Sequence, residues 1–167
     1  TTHDPDEAAR LMDELPVDQA ARDLGGAVDY LLGHDAVTSA QIGAVGFCMG
    51  GGFVLVLAAQ QGDKIGAAVA FYAVLGAEYP SFENLTAPLL GHFGEHDPMT
   101  GPSNVRELAA TIEEQSGQRP DFRLYPAGHA FFNDENLIGT YDPEQAAKAW
   151  DATIAFLLER LAAPQPG

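Results

Sequence analysis

Residues 46–51 of the chain, Gly-Phe-Cys-Met-Gly-Gly, lie between two apolar runs at 42–45 and 53–59. An apolar run that ends at glycines and resumes beyond them predicts a buried strand, a tight turn and a helix. The pattern G-x-C-x-G is that of a nucleophile elbow in which cysteine takes the place of serine. Gly46 and Gly50 are expected to flank a strained residue, because a Cβ at either position would press on the neighbouring strand or helix.

Cys48 is the central residue of this turn. The turn would place its sulfur at the carboxyl end of the sheet, beside the first N–H groups of the following helix, where a thiolate is favoured over a thiol. Free cysteine is also among the residue types most often buried. A buried, unreactive Cys48 beside a glycine turn is therefore the alternative interpretation of this segment alone.

Two later segments carry an acid and a histidine. Residues 88–98 form an apolar run that breaks at glycine and proline around Asp97, and residues 122–131 form a short run that ends just before His129. Nucleophile, acid and histidine in this chain order are typical of the α/β-hydrolases. Each follows a predicted strand, where parallel sheets carry their functional loops. Taken singly, Asp97 is also compatible with an ordinary turn, and His129 with a loop histidine bonded to the backbone.

Three segments together resemble the dienelactone hydrolase family, whose members are α/β-hydrolases with a cysteine nucleophile. The segments are Gly-Phe-Cys-Met-Gly-Gly at 46–51, Gly-Glu-His-Asp-Pro at 94–98 and Ala-Gly-His-Ala-Phe at 127–131. The resemblance extends from about Pro16 to the final helix. It implies an enzyme that cleaves an ester or a lactone.

The resemblance also implies a catalytic triad of Cys48, His129 and Asp97. In such a triad His129 takes the thiol proton and later returns a proton, as general base and then general acid. Asp97 would fix the imidazole tautomer and stabilise the imidazolium. The backbone N–H of Met49 would supply one oxyanion-hole donor, since the residue after the nucleophile does so at this kind of elbow. The expected reaction is cleavage of an activated ester or enol-lactone through a thioester acyl-enzyme.

The chain departs from the family pattern in two ways. Dienelactone-cleaving members carry a serine directly after the histidine and an arginine a few residues later, whereas Ala130 and Asn133 stand at these places. This argues against dienelactone itself as the substrate. The family also has several strands before the elbow strand, with the second oxyanion donor and substrate-binding residues in their loops, and these are expected upstream of Thr1. Residues 1–167 are accordingly expected to be a single α/β-hydrolase domain, incomplete at its amino terminus.

Apolar periodicity predicts strands that alternate with helices, which is typical of a parallel sheet covered by helices on both faces. The predicted strands cover residues 42–47, 66–72, 88–93 and 121–125. The predicted helices cover residues 5–15, 17–32, 49–61, 103–117 and 143–162. Gly25 and Gly26 weaken the helical pattern in the second of these. Trp150 of the last helix is expected in the core.

The elbow strand, residues 41–47, is predicted to be buried on both faces because its apolar run is unbroken. In the strand order of the α/β-hydrolases it lies centrally, and one of its neighbours would be a strand upstream of Thr1. Without that neighbour it would form an exposed apolar edge. For a chain that begins at Thr1, a homodimer formed through this edge, or aggregation, is expected.

Composition narrows the range of partners. The formal net charge is −16, with 24 acidic residues against 8 basic ones, so the chain lacks the basic surface that nucleic acids and anionic membranes attract. A small-molecule ester or lactone is the expected partner. No signal peptide or long apolar segment is present in these residues, and a targeting signal upstream of Thr1 stays open. The lone Cys48 excludes an internal disulfide and fits a reducing compartment such as the cytoplasm.

Residues 92–96, His-Phe-Gly-Glu-His, match the zinc-protease pattern H-x-x-E-H. That pattern binds zinc only on a helix, where both histidines share a face, and here glycines and a proline surround a predicted strand. His92 is expected in the core or behind the site, and His96 in a loop. Neither a metal nor a cofactor is expected.

Two alternatives to a thiol-dependent hydrolase remain open. Compact cysteine-elbow enzymes of the DJ-1 type act on glycated or oxidised groups, but they carry a histidine directly after the cysteine, where Met49 stands. A hydrolase-like scaffold without activity is the non-enzymatic alternative.

Overall fold

The computed structural model describes Thr2 and residues 4–76 and 79–161. From the second helix onward, α-helices alternate with β-strands in this part of the chain, except that β2 and β3 follow each other directly. The helices are α1 (Pro5–Asp13), α2 (Val17–Leu32), α3 (Met49–Gln61), α4 (Pro102–Ser116) and α5 (Pro143–Leu161). The strands are β1 (Ile42–Phe47), β2 (Ile65–Phe71), β3 (Leu89–Gly94) and β4 (Asp121–Tyr125). All these elements were predicted with bounds that agree to within two residues, and a short 3₁₀ turn at Gly62–Lys64 was not predicted.

The four strands form one parallel sheet in the order β1-β2-β3-β4. Strand β2 is buried along its whole length. Its alternate residues face opposite ways, with Ala68 and Ala70 in the core beneath α2, α3 and α4 and with Val69 and Phe71 in the core beneath α5. The predicted α/β fold, with helices on both faces of a parallel sheet, is therefore confirmed.

Strand β1 lies at an edge of this sheet. Among the described residues it pairs only with β2, and Val45 and Phe47 are 37% and 38% exposed. The expectation that β1 is buried on both faces is thus wrong for the described residues, because α5 leaves Val45 and Phe47 partly uncovered on its face of the sheet. The expected exposed apolar edge is what the structure contains.

The fully buried contacts of helix α5 with the sheet come mainly from small residues, and half-buried Phe156 and Leu157 pack beside them. Ala146, Ala149 and Thr153 are buried, whereas Trp150 is 40% exposed and lies against the ring of Phe132 at 5.5 Å between centroids. The expectation that Trp150 belongs to the core is therefore wrong. Small side chains let the helix axis approach the sheet closely, and the large residues of the apolar stripe are left at its margin.

Helix α2 continues without a break through its glycine pair. A Cβ on Gly25 would lie 2.8 Å from the side-chain nitrogen of Gln61, whereas nothing lies within 4 Å of one on Gly26. Gly25 is also one of the buried residues of the helix. The first glycine therefore lies against the end of α3, although the flexible Gln61 side chain could move aside for a larger residue.

A buried histidine on β3 links that strand to β4 and to helix α5. His92 of β3 is fully buried, and its Nδ1 and Nε2 atoms lie 2.9 Å from the Tyr125 hydroxyl and 3.0 Å from the Thr153 hydroxyl. Burial lowers the pKa of His92 to about 4. Because His92 lies on a strand and His96 is exposed in the following loop, residues 92–96 lack the helical geometry of an H-x-x-E-H zinc site.

The glycines of the elbow have unequal steric roles. A Cβ on Gly46 would collide with the carbonyl group of Gly50, and one on Gly52 would collide with the carbonyl oxygen of Val74. A Cβ on Gly51 would lie 2.9 Å from the Phe71 carbonyl oxygen, but nothing lies within 4 Å of one on Gly50. The expectation for Gly46 is confirmed and that for Gly50 is wrong, because Gly50 faces away from the sheet while the next two glycines face the end of β2.

The elbow glycines give a matched pair of substitutions with opposite expected signs. Gly46→Ala should lower the free energy of unfolding by about 2 kcal/mol or more, because the added methyl meets backbone atoms that cannot move independently. Gly50→Ala should leave stability unchanged or raise it by up to about 1 kcal/mol, through better helix propensity in open space. Urea unfolding of both variants measures the difference, and equal effects would contradict this account of the turn.

The buried His92 predicts a loss of stability in mild acid. Its folded-state pKa of about 4 lies below the ordinary 6.5, so between these values the unfolded chain binds the extra proton and the folded chain does not. The contribution of His92 is therefore complete above pH 6.5 and falls as the pH decreases to about 4, by about 3 kcal/mol in total.

The corresponding measurement is urea unfolding of the wild type and of His92→Gln across this pH range. Glutamine retains a donor and an acceptor but does not titrate, so the variant is expected to be less stable near neutral pH and to lose less stability in acid. Parallel pH profiles for the two proteins would exclude His92 as the titrating group.

Candidate active site

Cys48 occupies the junction between β1 and α3. Its backbone dihedral angles, φ 53° and ψ −120°, lie in a region that L-residues rarely adopt. The Cys48 N–H donates to the carbonyl oxygen of Phe71 at 3.0 Å, and the Cys48 carbonyl accepts from the N–H groups of Val74 at 3.0 Å and Gly52 at 3.2 Å. The predicted strained residue is thus Cys48 itself, held by hydrogen bonds to the end of β2 and to the first turn of α3.

The two other predicted residues lie beside this sulfur. His129 follows β4 and Asp97 follows β3, so both loops leave the same edge of the sheet. The His129 Nε2 atom lies 3.2 Å from the Cys48 Sγ atom, and the Nδ1 atom lies 2.8 Å from the Asp97 Oδ2 atom. Asp97 and His129 are both buried, and Cys48 is half-buried. The structure therefore brings together all three side chains that the sequence singled out.

The Asp97 carboxylate is held by donors from its own loop. The Thr100 hydroxyl donates to Oδ2 at 2.7 Å, and the N–H groups of Met99 and Thr100 donate to Oδ1 at 2.7 Å and 3.2 Å. Burial acts to raise the pKa of Asp97, but the hydrogen bonds from Thr100, His129 and Met99 together outweigh it, so this pKa lies below its ordinary value. The carboxylate is therefore ionised and fixed toward the imidazole.

The Cys48 and His129 side chains shift each other's proton affinity. The hydrogen bond to His129 lowers the pKa of the Cys48 thiol, although burial acts in the opposite direction. The backbone N–H of Met49, the next residue, acts in the same direction and lowers the pKa of Cys48 further. The hydrogen bond to Cys48 raises the pKa of His129, and the bond to Asp97 adds to that rise. The lowered pKa of Cys48 and the raised pKa of His129 both favour a thiolate–imidazolium pair.

Two residues of the site were not found by sequence reasoning. Tyr72 has a φ of 37°, and its ring lies edge-on to the His129 ring at 5.1 Å between centroids. Burial raises the pKa of Tyr72 to about 12, so its hydroxyl stays protonated. The Thr140 hydroxyl donates to the His129 carbonyl oxygen from the far end of the same loop. Tyr72 could have been found, since it directly follows the strand beside the elbow, whereas Thr140 has no local sequence signal.

The loop after His129 contains both positions at which the sequence departs from the family. Ala130 has a φ of 57°, and Asn133 is exposed with its side-chain oxygen accepting from the Glu135 N–H at 3.1 Å. In the described residues, no group of three or more His, Cys, Asp and Glu side chains is arranged to hold a metal ion. None of the helices described is long and apolar enough to cross a bilayer.

Known proteins resemble this chain in both sequence and fold. One relative, the "Probable 2-oxo-3-(5-oxofuran-2-ylidene)propanoate lactonase" of Bradyrhizobium sp, is 30% identical over 81% of this chain and 57% of its own length. The "Carboxymethylenebutenolidase" of Pseudomonas putida is 27% identical over 91% of this chain and 62% of its own length. The solved structure m3DLH superposes with a TM-score of 0.79 and 26% identity, over 96% of this chain and 70% of that structure.

The chain thus spans about three fifths of the length of these two relatives. The model of the dienelactone hydrolase family matches residues 1–161, nearly the whole sequence. The predicted α/β-hydrolase fold and the predicted class of enzyme, a lactone or ester hydrolase, are in agreement with this match. We conclude that the chain belongs to the dienelactone hydrolase family.

Proposed function

We propose that this chain hydrolyses an activated ester or enol-lactone, with Cys48 as the nucleophile. The observation that carries the proposal is the continuous series of hydrogen bonds from Cys48 through His129 to Asp97, at 3.2 Å and 2.8 Å. A nucleophile, a base within its reach and a third group that orients the base form the general arrangement for covalent catalysis. The strained elbow supports the same role, since it directs the sulfur toward the end of the sheet.

In the first half of the proposed reaction, the Cys48 thiolate attacks the acyl carbon of the substrate. The carbonyl oxygen becomes an oxyanion, and the N–H of Met49, the first residue of α3, is the proposed donor to it. The bond to the alcohol or enol oxygen then breaks, and that oxygen takes a proton from His129. The product of this half is a thioester between Cys48 and the acyl group.

In the second half, His129 accepts a proton from a water molecule, and the resulting hydroxide attacks the thioester carbon. The second tetrahedral intermediate releases the carboxylic acid and returns the Cys48 thiolate. Asp97 keeps the imidazole in the orientation that both halves require. Because a thiolate leaves a tetrahedral intermediate easily, the reaction proceeds only when the oxygen leaving group is also good, as in an enol or a phenol.

The family match supports an ester or lactone as the substrate class. The two named relatives are a lactonase and a butenolidase by their names, which favours a ring ester with an enol leaving group. Ala130 and Asn133 carry no positive charge, so the loop after His129 does not provide a partner for a substrate carboxylate. The proposed chemistry uses protein side chains alone, and a reducing compartment such as the cytoplasm would keep the Cys48 thiol free.

A thiolate at Cys48 is tested by alkylation with iodoacetamide as a function of pH. Because Cys48 is the one cysteine in the sequence, intact-protein mass reports its modification alone. The wild type should react at a pH below the ordinary range of a thiol, since the His129 hydrogen bond lowers the pKa of Cys48. His129→Gln should shift this profile upward, whereas His96→Gln, an exposed histidine in the neighbouring loop, should leave it unchanged. Coincident profiles for all three proteins would contradict the proposed pairing.

Cys48→Ala tests the nucleophile. The variant should lose about three orders of magnitude or more in kcat/KM for p-nitrophenyl acetate, as removal of a triad nucleophile does. The wild type should gain the mass of an acetyl group during brief exposure, at Cys48. An unchanged rate in Cys48→Ala, or no adduct and no hydrolysis in the full-length wild type, would favour the inactive scaffold.

The thioester route also predicts a strong dependence on the leaving group. The wild type should cleave p-nitrophenyl acetate much faster than ethyl acetate, because ethoxide leaves less readily than the Cys48 thiolate returns. Cleavage of the two esters at similar rates would contradict the thioester mechanism.

A further inference from the structure

A cavity of about 280 Å³ opens directly beside Cys48. Its walls come from the end of α1 and the connection to α2, from the first turns of α3, and from the segment after β2. The side chains of these walls are almost all apolar. The larger ones are Met12, Leu15, Met49, Phe53, Leu75 and Met99.

The lining of this cavity contains a negative charge and no positive one among the described residues. Of the described residues that line it, Asp13 is the one with a charged side chain, and Asp13 is exposed at the end of α1. The walls formed by described residues thus contain no lysine or arginine. An anionic group in the cavity would lose hydration without a positive partner and would face the Asp13 carboxylate, which makes its binding unfavourable.

A neighbouring cavity of about 390 Å³ has a different character. It shares part of the segment after β2 and Met99, but its wall includes Thr100, Asn104 and Glu107 and does not include Cys48. The acyl carbon must come within bonding distance of the Cys48 sulfur. The group attached to that carbon therefore starts at the mouth of the apolar cavity rather than in the more polar one.

We propose that the apolar cavity beside Cys48 is the acyl-binding site, and that it selects a short, uncharged, apolar acyl group. The inference rests on the proposed role of Cys48 as nucleophile. The volume lies just below the range of about 300–1,000 Å³ typical of small-molecule sites, which limits the length of the chain that fits. Three of its larger side chains are methionines, whose flexible, polarisable side chains adapt to apolar groups of varied shape.

The first test compares p-nitrophenyl esters that differ only in the acyl group. From acetate to butyrate, kcat/KM should rise about fourfold for each added methylene, the factor expected for complete burial of that group. The rise should end at longer chains because the cavity is small. p-Nitrophenyl hydrogen succinate should be at least about tenfold poorer than the pentanoate, which has a similar length and no charge.

Asp13 provides a variant with a matched control. Asp13→Arg should bring the succinate and pentanoate rates about tenfold closer together, since it replaces a repulsive charge at the cavity wall by an attractive one. Asp23→Arg changes the net charge equally, lies exposed on α2 and does not line the cavity, so it should leave the ratio unchanged. Equal shifts in both variants would show an effect of net charge alone and would overturn the assignment to this cavity.

A second readout does not depend on ester hydrolysis. N-Butyl iodoacetamide attaches an apolar chain to the Cys48 sulfur at the place of an acyl group, and mass spectrometry follows its reaction. The rate of each reagent with the folded protein is divided by its rate with the urea-unfolded protein. For the wild type, this ratio should be several-fold higher for the butyl reagent than for iodoacetamide. Asp13→Arg should accelerate iodoacetate selectively, and Asp23→Arg should not.

The two readouts separate the failure of this inference from the failure of the proposed function. Ester hydrolysis at Cys48 without preference for acyl length or charge, or with preference for the chain length of the alcohol instead, would overturn the acyl-binding assignment and leave the nucleophile in place. A clear preference in alkylation with no hydrolysis of any ester would support the cavity and refute the hydrolase.

Discussion

The backbone at Cys48 is the constraint on which the site depends. A φ of 53° at a non-glycine residue costs on the order of 1–3 kcal/mol and persists only where the surroundings fix it. Here the surrounding backbone fixes it by direct contact. Gly46, Gly51 and Gly52 let β1, α3 and the segment after β2 meet without side chains between them. Cys48 is then bound on both sides by backbone hydrogen bonds. The sulfur is placed by packing of the main chain, and the rest of the site is arranged around it.

The partners of Cys48 come from two different strands, and their alignment therefore requires a rigid sheet edge. Asp97 follows β3 and His129 follows β4. The His92 hydrogen bonds join these same strands to α5, through Tyr125 at the end of β4 and Thr153 of the helix. Buried polar groups with every partner satisfied specify one packing arrangement, because any other leaves a donor or acceptor unpaired. A histidine that takes no part in the proposed chemistry thus helps to fix the distance between Asp97 and His129.

The fold and the three principal side chains were predictable because each has a local signature. Cys48, Asp97 and His129 follow apolar runs and stand among glycines and prolines, and sequence order alone places them at one edge of a parallel sheet. The features that the sequence did not predict depend on how the helices and strands pack against each other. Which elbow glycine meets backbone depends on how α3 faces β2, and whether Trp150 or Ala149 faces the sheet depends on how closely α5 can approach. The outer side of β1 is exposed although its sequence is that of a buried strand, because burial depends on neighbours and not on composition.

The solitary cysteine of these 167 residues has a consequence for the redox chemistry of the site. A partly accessible sulfur whose hydrogen bonds favour the thiolate is the form that peroxides oxidise most readily. The first product, a sulfenic acid, is normally rescued when a second thiol condenses with it to a disulfide. No other thiol is present among residues 1–167, so the reducing thiol has to come from outside these residues. Without that reductant, further oxidation to the sulfinic acid is permanent, so the hydrogen bonds that favour the proposed nucleophile also make the sulfur sensitive to peroxides.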